Sequence, residues 1–321
     1  MEAIPERLLA SDEPSIRYKI RTGVLGEDAA SPAMRALQEE ISTSPRVTTL
    51  LAERATDGTI PGGVYRKWNG AHWVLAALAD IGYPPGDTAL APLVDQVCAC
   101  WLSARHVDAV RIVNGRARRC GSQEGNALYA MLKLGFVDER ADCLAQHLMR
   151  WQWPDGGWNC DKAPSASTSS FHETWIPLRA LSLYGQVRND AGAREAASRA
   201  AEVFLSRRLF RRLRDGSVIK PGFLQLCYPP YWHYSILNGL KVMAEAGFIC
   251  DERCEEALDV LESKRLPDGG FPAEIAYYAT APSRTSGHSL VKWGIRRAGQ
   301  MNEWVTTEAL CVLAVACRLQ V

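Results

Sequence analysis

The 321-residue sequence predicts an all-α protein. Its architecture reads as an α/α toroid, a closed double layer of alternating inner and outer helices, with an N-terminal helical extension. Three observations carry this. Segments apolar nearly all round alternate with amphipathic ones, and such helices are respectively buried and solvent-facing. The pair recurs at intervals of roughly 46 to 70 residues, too irregular for a straight solenoid. Strand signals are almost absent.

Residues 1–55 read as short helices packed on the main body, which spans 56–321. Ser11 or Asp12 caps a helix carrying Ile16, Ile20 and Val24 and stopped by Gly26, and Ser31 before Pro32 starts another. The apolar segments are 70–82, 124–135, 170–185, 231–247 and 302–319, the first four ending in Gly, the usual residue just past a helix. The amphipathic segments are 88–103, 139–152, 192–210 and 251–265. Pro-Asp-Gly-Gly-aromatic turns follow two of these, at 154–158 and 267–271, and 55–65 reads as a degenerate earlier copy. The glycines permit positive φ and a tight reversal, while the ring packs on the neighbouring repeat. The long connection 273–304 reads as a solvated loop or as a lid, with Arg284, His288, Lys292, Arg296 and Arg297 giving it a positive balance.

The composition, 47% hydrophobic and 23% charged, suits a protein with a large core, and the net charge of +1 argues against a nucleic-acid partner. The ten cysteines fall largely in helical runs and no secretory signal is visible, so the sequence reads as a reduced cytoplasmic protein. No apolar run has the length of a membrane span.

Glycines at helix ends serve as rulers for a site. Cys120 lies 15 residues before Gly135, His172 lies 13 before Gly185, and His233 lies 14 before Gly247. All three therefore fall near the N-terminal ends of inner helices, and Cys160 sits in the loop feeding one of them. Cys120, Cys160, His172 and His233 form a candidate ligand set for zinc, whose borderline softness suits thiolate and imidazole. The bland alternative is buried thiols and loop-bonding histidines. Asp161 and Glu173 are candidate acids, a loop tie and a capping box being the alternatives. Tyr234 joins them as a candidate catalytic group. Trp68, Trp73, Trp158, Trp175, Trp232 and Trp304 read either as the lining of a ligand cavity or as core packing between repeats.

Gln152-x3-Gly156-x-Trp158 resembles the QW motif of squalene and oxidosqualene cyclases, and the following SSFHETWIPLRALSL is similar to an inner helix of those cyclases and of protein prenyltransferase β subunits. The resemblance implies a toroid enzyme acting on a hydrophobic, isoprenoid-derived substrate in a central cavity, with zinc assistance as in the prenyltransferases. The D-x-D-D acid of the cyclases is absent from the sequence, as are the D-D-x-x-D and N-S-E metal motifs of ionising terpene synthases. A zinc enzyme on a non-terpene substrate and a binding protein with a structural metal remain as alternatives.

Overall fold

The computed structural model describes residues 4–280 and 285–319. In chain order the helices are α1 (Ile4–Leu9), α2 (Pro14–Gly23), α3 (Pro32–Ser42), α4 (Pro45–Leu51), α5 (Ala71–Ile81), α6 (Ala91–Trp101), α7 (Ala104–Asp108), α8 (Gly121–Lys133), α9 (Glu139–Trp151), α10 (Phe171–Val187), α11 (Ala191–Leu205), α12 (Ile236–Glu245), α13 (Glu255–Glu262) and α14 (Glu303–Val315). Two short ladders accompany them: β1 (Arg111–Val113) antiparallel to β2 (Arg116–Arg118), and β3 (Ala279–Thr280) parallel to β4 (His288–Ser289).

The inner ring runs α5, α8, α10, α12, α14, each packed on the next. The N-terminal segment is helical, and its α2 packs on both α14 and α5, so it completes the ring. Helices α6, α9, α11 and α13 back α5, α8, α10 and α12 from outside, and α1 and α3 back α2. This is an α/α toroid. Its tightest seam joins α8 to α10: a Cβ built on Gly125 would stand 2.9 Å from both Ile176 Cγ2 and Pro177 N, so only glycine admits that approach.

The Asp-Gly turns are one structure used three times. Trp153 N–H donates to Gly157 O at 2.8 Å and Gly156 N–H to Trp153 O at 2.9 Å. Leu266, Gly270 and Gly269 repeat this at 2.8 Å, and Ala55, Thr59 and Gly58 repeat it at 2.8 and 2.9 Å. The central Gly58, Gly156 and Gly269 have φ of 81°, 98° and 87°. Each turn then buries the next apolar residue, Ile60, Trp158 or Phe271. In the second and third copies that residue's N–H donates to a threonine in the following inner helix, Trp158 to Thr174 at 3.2 Å and Phe271 to Thr306 at 2.8 Å. Gln152 Nε2 donates to Gly156 O and Ala196 O, tying the exit of α9 to α11.

Among the helix boundaries that differ from the sequence reading, two bear on the site. Gly185 lies inside α10, which continues to Val187, with the Arg188 N–H still donating to Tyr184 O at 2.9 Å. Helix α12 begins at Ile236, capped by Ser235, so Trp232, His233 and Tyr234 precede it. Pro229 and Pro230 and the positive φ of Tyr231 (52°) hold that approach non-helical. In the long connection, Trp293 is buried and its carbonyl accepts from Asn302 Nδ2 at 2.9 Å, so this part is stapled to the body. Arg284 lies outside the described residues.

Candidate functional site

The loop after the Trp158 turn is stitched to the entry of α8. Arg118 and Asn159 form a parallel bridge, and Arg119 N–H donates to Asn159 O at 3.2 Å. Cys120 follows Arg119 and Cys160 follows Asn159, so these contacts bring the two cysteines together. Glu173, in the first turn of α10, completes the group: the donor atoms of Cys120, Cys160 and Glu173 all lie within 4.8 Å of one another. Glu173 Oε2 accepts from Ser122 N–H at 3.2 Å and from Ser122 Oγ at 2.8 Å, while Cys160 Sγ donates to Oε1 at 3.6 Å. The capping-box role weighed for Glu173 is not what it does, since the Ser170 cap makes no side-chain bond.

Burial raises the Glu173 carboxyl above its ordinary range, with the Ser122 donors opposing. The interaction with Cys160 raises Cys120, reinforced by burial, and the same interaction lowers Cys160. Tyr65 is close enough for Glu173, Cys120 and Cys160 to add to the upward push that burial exerts on its hydroxyl.

Sequence reasoning missed the groups around this cluster. His72, 2% exposed, accepts at Nδ1 from Trp101 Nε1 at 3.1 Å, and its buried Nε2 has no protein partner. Burial drives this imidazole down to about 3, so it is neutral. Glu124, fully buried in the first turn of α8, meets His106 Nε2 at 2.7 Å and Arg119 at 2.6 Å through Oε1, leaving Oε2 without a protein partner. A glutamate inside an otherwise apolar helix was the readable signal for it.

The expected four-ligand set divides into two pairs. His172 Nδ1 accepts the Tyr234 N–H at 2.9 Å, and His233 stacks on Tyr277 at 3.5 Å between ring centroids and on Trp232 at 3.8 Å. The two imidazoles lie 6.2 Å apart by centroid, and burial lowers each to about 4. Neither belongs to the Cys120–Cys160–Glu173 group. His172 opens α10 as expected, whereas His233 lies in the approach to α12 rather than on it. Asp161 is exposed and accepts from Ala163 N–H at 2.9 Å, tying its loop. Tyr234 is fully buried and its hydroxyl donates to Leu209 O at 2.7 Å.

The tryptophans pack the ring. Trp68 stacks on Tyr231 at 3.9 Å and meets Trp73 edge-on at 4.8 Å, and Trp304 stacks on Tyr228 at 4.9 Å. Trp158 is fully buried and donates to Leu148 O, and Trp175 donates to the carbonyl of half-buried Trp232. The space among Trp73, Trp175, Tyr231 and Trp293 comes to only about 50 Å³.

The large cavity, about 840 Å³, opens at the other end, between the C-terminal halves of the inner helices and α2. Its wall is ionic. Asp80 Oδ1 meets Lys241 Nζ at 2.9 Å and Arg179 at 3.1 Å, while its Oδ2 accepts from Tyr228 OH at 2.8 Å. Glu308 bridges Lys241 at 2.8 Å and Lys19. Glu245 pairs with Arg179 at 2.5 Å. Against the opposing effect of burial, Lys19, Lys241 and Arg179 hold Asp80 below the usual carboxylate range, and Lys19 and Lys241 do the same for Glu308.

No family model and no curated protein matches the chain. Among solved structures it is similar to a family 88 glycosyl hydrolase from Bacteroides vulgatus (12% identity, 98% of this chain and 96% of that one, TM-score 0.49). It is also similar to an α-1,6-mannanase from Salegentibacter (10% identity, 95% and 88%, TM-score 0.45). A type II terpene cyclase from Scytonema aligns with 13% identity over 90% of this chain and all of that one, at a TM-score of 0.28. The expectation of a terpene cyclase or prenyltransferase acting on an isoprenoid is corrected here. The hollow among the rings, where an isoprenoid was expected, is filled, and the roomy cavity has ion pairs buried in its wall. Among the described residues no helix is long and apolar enough to cross a membrane, and the ten cysteines are free.

Proposed function

We propose that this toroid is an enzyme that takes a neutral, polyhydroxylated small molecule, of the carbohydrate class, into the cavity at the C-terminal ends of its inner helices. One observation carries the reading: that cavity is walled in part by a lattice of ion pairs in which Lys19, Arg179 and Lys241 face Asp80, Glu245 and Glu308, with Arg35, Lys133 and Glu39 also on the lining. An apolar chain laid over these ion pairs would strip water from charges and replace it with nothing. With five cations against four anions on the lining, a ligand of high net charge would meet little excess of the opposite sign. Hydroxyl groups donate and accept, so they interleave with guanidinium, ammonium and carboxylate alike. Fixed charges in a sheltered wall also supply the preorganised field that stabilises charge developing in a transition state. Asp80 and Glu308 serve here as acceptors, because both are held ionised and neither is an acid at neutral pH.

The test is thermal-shift and calorimetric titration with neutral mono- and oligosaccharides, and with a prenyl alcohol for contrast. Wild-type protein is expected to be stabilised by a sugar, and Ala244→Phe, which fills the cavity, to lose that response while retaining its helical circular dichroism. Stabilisation by the prenyl alcohol alone would overturn the reading.

A further inference from the structure

Three chain segments deliver sulfur and oxygen donors to one spot at the opposite end of the ring: the residue before α8, the loop after the Trp158 turn, and the first turn of α10. We propose that Cys120, Cys160 and Glu173 bind a thiophilic divalent cation of the zinc class, through the two Sγ atoms and Oε1 of Glu173. This inference stands on its own residues and does not rest on the reading of the ionic cavity.

The geometry is that of a held ligand. Ser122 occupies Oε2 of Glu173 with two donors, and Oε1 is the oxygen turned to Cys160. A ligating carboxylate is commonly oriented in this way by a hydrogen bond to its other oxygen. Charge points the same way. Among the described residues Glu173 has no ion-pair partner, and the neighbouring cation, Arg119, is engaged by Glu124. Two thiols and a carboxyl converging in a sheltered place hold their protons unless a cation replaces them. Binding balances as one M²⁺ taken up, two thiol protons and one carboxyl proton released, and a site of net charge −1 formed.

The donor set selects the metal class. Two thiolates disfavour magnesium and calcium, which take oxygen ligands, and suit zinc at a tetrahedral site. Three protein ligands leave the fourth position to water or another donor. Tyr65 feels the charge of all three groups, and its ring lies 5.2 Å by centroid from that of His72, whose Nε2 has no protein partner.

The experiment uses the full chain purified without chelator, freed of loose metal by gel filtration and assayed by elemental analysis. About one zinc per chain is expected, and cobalt substitution is expected to give a thiolate-to-cobalt charge-transfer band in the near ultraviolet. Cys160→Ser should weaken that band, and Ser122→Ala should loosen the metal about 10- to 100-fold, the usual effect of removing a ligand's outer support. Zinc should also shield two thiols of the wild-type protein from an aromatic disulfide reagent. If Cys160→Ser fails to fold, the wild-type cobalt spectrum and Glu173→Gln decide instead. Failure of wild-type protein to take up stoichiometric zinc or cobalt would overturn the proposal. So would a cobalt spectrum without a sulfur band, or a Cys120–Cys160 disulfide in the freshly purified chain.

Discussion

Ser122 donates both its backbone N–H and its hydroxyl to the same oxygen of Glu173, at 3.2 and 2.8 Å, across the seam between α8 and α10. A carboxyl raised by burial binds its proton more tightly folded than unfolded. Its contribution is therefore fully present below the unfolded pKa and is lost as pH rises through the folded one. Chelated wild-type protein is expected to lose stability from about pH 5 upward, and Glu173→Gln to flatten that slope, as measured by urea unfolding at successive pH values. A slope identical in the two proteins would remove Glu173 as its source.

The ionic wall has the opposite sign. Asp80 and Glu308 are held low, so their contribution is present above the unfolded carboxylate pKa and is lost as pH falls through the folded one. Lys241→Met withdraws an ammonium that both share and should cost about 3–5 kcal/mol at neutral pH, the usual effect of breaking a buried pair. Denaturant midpoints give the measurement, and a change within about 1 kcal/mol would place the pair effectively in solvent.

Gly125→Ala should destabilise, although alanine is the better helix former by about 1 kcal/mol. The added methyl would stand 2.9 Å from backbone and side-chain atoms of α10, and such overpacking costs about 1–3 kcal/mol. Thermal unfolding of the variant checks this, and an unchanged or higher midpoint would show that the seam yields.

Thr174→Val and Thr306→Val should behave alike. Each strips the acceptor from a buried N–H, that of Trp158 or of Phe271, at an expected cost of about 1–3 kcal/mol. Unequal losses would mean that the two turns are alike in backbone only.

Much of the scaffold is legible in the amino-acid order because its causes are local. Apolar helices, capping serines such as Ser31 and Ser44, and Asp-Gly turns declare themselves within a few residues. Even the degenerate turn at Ala55–Ile60 is readable, since its hydrogen bonds depend on Gly58 rather than on an aromatic ring. Cys120 and Cys160 are legible as one group, but Glu173 as their third member in place of the histidines is not. The grouping of the three depends on the Arg118–Asn159 bridge and on the facing of α8 and α10, contacts between residues some 40 to 50 positions apart. Counting back from glycines placed His172 in the first turn of α10 as expected but failed at His233, because α12 starts late. Periodicity records which side of a helix meets water, and so determined the double layer. The filling of the hollow by indole rings, the opening of the cavity at the far end and the division of ligands into pairs arise only when the ring closes, because each depends on side chains that meet across it.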